Sequence, residues 1–334
     1  MNGILKDLKK KGLSSTTNRR VDLKHLLSAE RAARGSFYAT RVGFVGIDPK
    51  GRRLARAHNG FPQGVRETLE RWGRQEKDFY HLHAECAGIF NAVRYGYATK
   101  GAAAYVTHPP CPGCMRALLA AGFSKVIFSE ESLYERLDWR DDILQSFALA
   151  RQHGMAVLVY KDKEKSLSHS DLARTELGLK KVYDVLLPQA RGTSDRNGGI
   201  SAPAKPESLQ WADHPVIAAL FACARKGVAL DGCSVITDFR PECRAATALI
   251  QAGVRHVVGL QRAGDHVDPR WAVEAEMNKA EAILTEDAGV ALDYAKDAAG
   301  LSFCLNKGRT YLDATREGVK MAGLHLIRPP GARS

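Results

Sequence analysis

The sequence predicts a layered α/β or α+β protein in which helices cover a sheet, with that arrangement repeated along the chain. Three observations carry the prediction. Strand-like and helix-like patterns alternate through the first half. Histidine, glutamate and cysteine recur at the starts of two of the helical stretches. A segment beginning at His83 is echoed by one beginning at His214.

Composition sets the outer bounds. A chain of 334 residues with 45% hydrophobic content can bury two ordinary cores. No apolar run has the length to span a bilayer, and MNGILKDLKKKGLSS lacks the apolar stretch of a signal peptide. Seven cysteines without a framework spacing suit a reducing compartment, so the expected location is cytoplasmic and no membrane partner is expected. The net charge of +12 fits either a nucleic-acid partner or an anionic small substrate. Part of it lies in Lys6, Lys9, Lys10, Lys11, Arg19 and Arg20, which make residues 1–20 read as a basic, solvated tail.

The elements follow in order. Residues 21–33 (VDLKHLLSAERAA) have helical apolar spacing. Residues 40–47 (TRVGFVGI) and 53–57 read as two strands joined by the turn Asp48-Pro49-Lys50-Gly51. Helical character resumes around HLHAE. Residues 102–107 (AAAYVT) form a strand, 111–121 a helix stopped by Gly122, and 125–128 a strand. A helix over 139–152, closed near Gly154, and a strand over 156–160 complete a unit spanning 21–160. Residues 161–170, opening with Lys161-Asp162-Lys163-Glu164-Lys165, read as a linker to a second unit at 171–334.

Two stretches carry chemistry. In PPCPGCMRALLAAG, residues 109–122, Cys111 and Cys114 stand at a helix N-terminus, where the dipole and free amides favour thiolate. A lone pair of this kind is equally a redox or structural feature. His83, in HLHAECAGIFNA, supplies a third donor; His81 and His108 are the local candidates for a fourth, and neither is convincing. Three protein ligands leave one position open, the pattern of a catalytic zinc site, whereas structural sites are closed by four. Glu85 would stand beside the open position, where a carboxylate can take a proton from water and return it to a substrate.

At these residues the chain resembles the zinc-dependent cytidine and deoxycytidylate deaminases: His83-Ala84-Glu85 followed by Pro110-Cys111-Pro112-Gly113-Cys114 matches their signature. The resemblance implies Zn2+ held by His83, Cys111 and Cys114, with Glu85 as proton shuttle. Water would attack C4 of a cytosine ring while Glu85 protonates N3, and ammonia leaves. It also implies the cytidine-deaminase-like three-layer fold, a mixed central sheet flanked by helices. AHNGFPQGVRE, residues 57–67, resembles the Asn-Gly-x-Pro-x-Gly substrate loop of the deoxycytidylate branch. Carried over by position, the substrate would meet Asn59, Gly60, Pro62, Gly64, Ala84 and Pro110, with Asn59 hydrogen-bonding sugar or base. The resemblance covers residues 20–160.

The second half repeats the first in degraded form. HPVIAALFACARKGVALDGCSVITDFRPECRAATALIQAG keeps Phe221, Gly227, Gly232 and Ala252-Gly253 in register, and continues to Trp271 and a GVALDY strand. Val216 replaces Glu85, and Arg240-Pro241-Glu242-Cys243-Arg244 replaces the two-cysteine turn, so this copy is expected to be catalytically silent. Residues 190–206, rich in Gly, Ser and Pro, take the place of the expected strand pair. Three functions remain open. One is a deaminase of a free cytosine nucleotide, dCMP or a close relative, with room for a nucleotide effector. Another is a deaminase of a flipped cytosine or adenine in DNA or RNA, for which Trp72, Phe79 and Tyr80 are stacking candidates. The third is a binding or regulatory scaffold, which the intact first site opposes. The silent copy is expected to pack against the active one as an intramolecular pseudo-dimer and to buttress its site, with homo-oligomers also allowed.

Overall fold

The computed structural model describes residues 14–15, 19–68, 70–73, 77–129, 132, 140–160, 215–237, 241–260, 274–295 and 311–314. The expected linker at 161–170, the stretch 190–206, His214, Arg240 and Trp271 lie outside the described residues.

The first sheet has six strands in the order β1-β6-β5-β4-β2-β3. These are β1 (Ser14–Ser15), β2 (Gly43–Ile47), β3 (Arg53–His58), β4 (Ala103–Val106), β5 (Lys125–Ser129) and β6 (Ala156–Tyr160). β2 runs antiparallel to both β3 and β4, whereas β4, β5, β6 and β1 are mutually parallel, so the sheet is mixed as expected. β1 lies within the stretch expected to be a tail. The edge of β6 presents unpaired backbone groups, and Ser14 and Ser15 pair there with Leu158 and Val159. The following helix, α1 (Arg19–Ala33), starts two residues before its expected boundary.

Both faces of this sheet are covered. All five residues of β2 are buried, which is why GFVGI reads as a continuous apolar run without alternation. On one face Leu26 and Ala29 of α1 pack with Val45, Ile47, Tyr105 and Ile127. Asp22 of α1 accepts the Tyr105 hydroxyl at 2.7 Å. The short α2 (Lys77–Tyr80) leads into α3 (Ala84–Tyr95), which packs on the other face with α4 (Pro112–Ala120) beside it; α5 (Arg140–Gln152) packs against α4.

After the undescribed segment the same sequence of elements returns: α6 (Pro215–Lys226), β7 (Ser234–Thr237), α7 (Cys243–Gln251), β8 (His256–Leu260), α8 (Glu274–Ala282), a π-helical turn (Ile283–Asp287) and β9 (Ala291–Ala295). One constant residue offset carries β4 onto β7, α4 onto α7 and β5 onto β8, and the strand registers Ala103↔Lys125 and Ser234↔His256 correspond. The second sheet has four described strands, in the order β10-β7-β8-β9, and differs at the edge of β7. β10 (Tyr311–Ala314) takes the place beside β7 that β2 holds beside β4, and it runs parallel. The free edge of β7 is thus paired from the C-terminal side of the chain.

Nine of the twelve residues of α3 are buried, because it is packed on two sides. One side meets β2 and β3; the other meets α6 and α7. A single apolar core runs from Phe44 of β2 through Phe90 and Val93 of α3 to Phe221, Leu249 and Val235. The contacts across it are reciprocal. Phe90 stacks on its counterpart Phe221, with centroids 6.0 Å apart. Thr99 donates to the Ala224 carbonyl at 2.9 Å, and Leu230 to that of Val93 at 3.1 Å. Gly96 and Gly227, which end α3 and α6 at φ 72° and 70°, let the chains approach: a Cβ on either would lie about 3 Å from an alanine Cβ of the other half.

Candidate metal centre

The centre forms where two helices begin. Cys111 caps α4, with Pro112 fixing the first turn, and its Sγ accepts the Cys114 amide at 3.5 Å. His83 occupies the corresponding position before α3 but makes no cap with its side chain. Its ring turns instead to the cysteines, with Nδ1 3.3 Å from Cys114 Sγ and 3.7 Å from Cys111 Sγ. All three donor atoms lie within 4.8 Å of one another. Tetrahedral zinc, bonded to sulfur at about 2.3 Å and to nitrogen at about 2.0–2.1 Å, keeps such donors about 3.5 Å apart. Spacing and donor chemistry both fit, and zinc is the cofactor of this centre. No other cluster of three metal-ligating side chains occurs among the described residues.

Electrostatics prepare the donors. A hydrogen bond from Cys114 and the charge of His83 hold the Cys111 thiol well below its ordinary range, despite burial. Cys114 is pushed well above its own, first through that same bond. Burial opposes a charged His83, yet the Cys111 thiolate and Glu85 raise its pKa to about 10.

Glu85, in the first turn of α3, is 4% exposed, and its Oε2 lies 3.3 Å from Cys114 Sγ. Burial pushes its carboxyl above the usual carboxylate range, and the negative Cys111 adds to the effect. Ala84 and Pro110, also named from the sequence, are buried beside the ligands in the chain. Gly60 bridges to Leu82 through a pair of backbone hydrogen bonds at 2.8 and 3.1 Å, which brings residues 59–64 to the His83 side of the centre. Pro62 is buried, whereas Gly64 is exposed at φ 96°.

Asn59 stands at the start of this loop. Its side chain is buried; Oδ1 accepts from Val42 N at 2.8 Å, and Nδ2 donates to Thr40 O at 2.9 Å. The second amide hydrogen faces His81 Nε2 at 3.4 Å. These bonds engage all of its donors and tie the loop to residues 40–42.

Trp72, a stacking candidate from the sequence, gathers two rings that the sequence did not single out, Phe61 and Tyr38. Phe61 stacks on Trp72 at 4.5 Å, and Tyr38 stacks on the same indole at 5.8 Å. Trp72 meets His81 edge-on at 6.5 Å, and His81 lies 5.5 Å from His83. Burial, then the charges of His83 and Lys77, lower the His81 pKa to about 3, so the ring is neutral and can accept from Asn59.

Among the described residues of the second unit, three positions of the centre carry other side chains. By the register above, Val216 stands in the place of Glu85, Glu242 in that of Cys111 and Ala245 in that of Cys114. Glu242 caps α7 with its carboxylate, accepting from Ala245 N at 2.8 Å and Arg244 N at 2.6 Å. A Ser234–His256–Asp293 chain on adjacent strands, with links of 3.0 and 2.8 Å, lies at the N-terminal ends of parallel strands with Ser234 buried. Ligands bind at the opposite ends of such strands, and these bonds tie the sheet together.

Comparison with known proteins agrees with this chemistry. Residues 18–130 match the family described as the cytidine and deoxycytidylate deaminase zinc-binding region. An uncharacterized deaminase in the luxG 3' region of Aliivibrio fischeri is 33% identical over 119 residues, covering 36% of this chain and 78% of that protein. A probable deoxycytidylate deaminase of Drosophila melanogaster is 27% identical over 126 residues, covering 34% of this chain and 60% of that protein. The crystal structure of dCMP deaminase from the cyanophage S-TIM5 with dCMP and dUMP is 23% identical, covers 44% of this chain and 100% of that chain, and gives a TM-score of 0.35.

Proposed function

The chain belongs to the cytidine and deoxycytidylate deaminase family, and on that premise we propose that its first unit deaminates a free deoxycytidine nucleotide, dCMP or a close relative, to the uracil nucleotide. The observation that carries the reading is the convergence of His83, Cys111 and Cys114 on one point with the buried Glu85 carboxyl beside them. Zinc, when bound there, acts as a Lewis acid that makes water nucleophilic near neutral pH. Glu85 does the rest of the proton work. It takes a proton from the attacking water, delivers one to N3 as C4 becomes tetrahedral, and passes the next to the exocyclic nitrogen, which leaves as ammonia. Its burial keeps bulk water from competing for those protons.

A free nucleotide is favoured over a base in a polymer because the aromatic side chains near the centre stack on one another. A strand-binding surface needs rings left open to receive successive bases. Asn59, Gly60, Pro62 and Gly64 form the substrate loop in this reading, with Ala84 and Pro110 at the base. Asn59 contributes by holding the loop in place, since its amide is bonded to Thr40 and Val42. A reducing cytoplasm suits the thiol ligands Cys111 and Cys114 and the other free cysteines among the described residues.

We further propose that the second unit is a silent copy that acts as an in-chain neighbour, a pseudo-dimer partner supporting the active unit. The stacked Phe90 and Phe221 and the paired Thr99 and Leu230 bonds favour this over an independent tethered domain. The direct test compares dCMP, dCTP and a cytosine-containing oligonucleotide on zinc-loaded enzyme carrying one equivalent of metal. Ammonia release from dCMP or dCTP is expected. Turnover of the oligonucleotide alone would overturn the free-nucleotide reading, and two zinc equivalents per chain would overturn the silent copy.

A further inference from the structure

We propose that Asp287, in the second unit, is a positioning residue for the substrate loop of the first, holding it through Arg71. The proposal rests on the substrate loop of the reading above. Asp287 ends the π-helical turn, and its side chain is 2% exposed. Its Oδ2 accepts from Arg71 Nη1 at 2.6 Å, while Oδ1 makes no hydrogen bond and lies 3.5 Å from Arg66 Nη2. A carboxylate withdrawn from water persists only when its charge is answered, so Asp287 and Arg71 hold one another in place.

Arg71 carries that hold into the loop. Its Nη1 also donates to the Arg66 carbonyl at 2.9 Å, and its guanidinium lies 4.6 Å over the Tyr80 ring. The next residue is Trp72, on which Phe61 and Tyr38 stack and which meets His81 beside the zinc ligand His83. One charge pair therefore sets the indole around which the wall beside the centre is assembled.

The anchor itself is rigid. Ile283 and Leu284 of the π-helical turn are fully buried in the common core, and the wider turn closes with Ala288 N donating to Ile283 O. Such a turn inserts a residue into a helix and re-aims the side chains after it, here directing Asp287 toward the first unit. Two further contacts press the same region: Lys279 Nζ lies 4.2 Å over the Phe79 ring, and Ala288 backs Gly64. The second unit thus supplies the active unit with a named charge as well as a packing surface.

The test uses the full, zinc-loaded chain with Asp287→Asn, Asp287→Glu, Arg71→Gln and the double variant Asp287→Asn/Arg71→Gln. Losing one charge-assisted bond should raise the KM for dCMP roughly tenfold, with a smaller change in kcat and unaltered zinc content. Asp287→Glu should recover part of the loss, and the double variant should be no worse than the worse single one. Backbone hydrogen exchange over residues 60–73 should quicken while that of α3 and α4 stays as in wild type. Unchanged KM and unchanged loop exchange in Asp287→Asn would overturn the proposal, as would faster exchange spread evenly over the chain. If wild-type enzyme does not turn over dCMP while loop exchange still quickens in the variant, the substrate assignment fails and the positioning role stands. Should Asp287→Asn fail to fold, Arg66→Gln, on a side chain that is 70% exposed, carries the same exchange measurement.

Discussion

Glu85 and His81 are two ionisable side chains beside the same ligand, and their surroundings give them opposite work. Burial next to a thiolate keeps protons on Glu85 within reach of a substrate. Glu85→Gln should retain zinc and fold, because the amide is close in shape, but deamination should fall by at least about 10²–10⁴-fold, since the amide moves no proton. Near-normal turnover with full zinc content would assign the proton transfer to another group. His81 is buried as a neutral ring, its pKa lowered to about 3 from the usual histidine value. The unfolded chain takes up this proton below about pH 6.5, whereas the folded chain resists until about pH 3. The neutral ring therefore contributes stability that is complete above that upper value and is lost as pH falls through the window. Denaturation midpoints from about pH 7 to about pH 4 should drop more steeply for wild type than for His81→Gln; parallel profiles would show that His81 does not drive the acid sensitivity.

Among the elements, α1 and β2 approach closely at Gly43. A Cβ built on Gly43 would stand 1.9 Å from the Ala29 carbonyl oxygen and 2.7 Å from Ala33 N, both helix backbone that cannot rotate away. Gly43→Ala should therefore force α1 off the sheet and destabilise the protein by about 3 kcal/mol or more, at the upper end of overpacking effects. Gly46→Ala in the same strand is the control, because its Cβ would meet side chains alone, the Phe44 ring at 3.4 Å and Leu54 Cβ at 3.8 Å. Equal denaturation midpoints for the two variants would contradict this account of the helix–sheet contact.

For the whole molecule, the decisive feature is α3, which is packed on two sides and buries nine of its twelve residues. Cutting the chain after Tyr160 would strip α6 and α7 from it and expose Phe90, among other buried groups. Each large side chain so exposed costs about 1.5–3 kcal/mol, against a total stability of about 5–15 kcal/mol for a domain. The severed first unit should be insoluble or inactive and should regain activity when the second half is added. A stable, fully active fragment would refute the supporting role.

Legibility followed distance along the chain. The strand–helix alternation, the turn at Asp48-Pro49-Lys50-Gly51 and the Gly122 stop are local signals, and each was readable from a few neighbouring residues. So was the zinc centre, because Cys111 and Cys114 share one helix turn and His83 and Glu85 share another. The common spacing of Phe221, Gly227 and Gly253 with Phe90, Gly96 and Gly122 was visible as well. Other features were settled only by folding. Asn59 bonds to Thr40 and Val42 because β2 and β3 bring those residues together, a loop anchor that no local pattern announces. β10 fills the edge beside β7 from far along the sequence, and Ser14–Ser15 does the same at β6. The Asp287–Arg71 pair joins residues on opposite halves of the chain. A local pattern reports the helix or strand that its own residues can form, whereas partners of a charge or a sheet edge depend on surfaces that meet only when the two units pack.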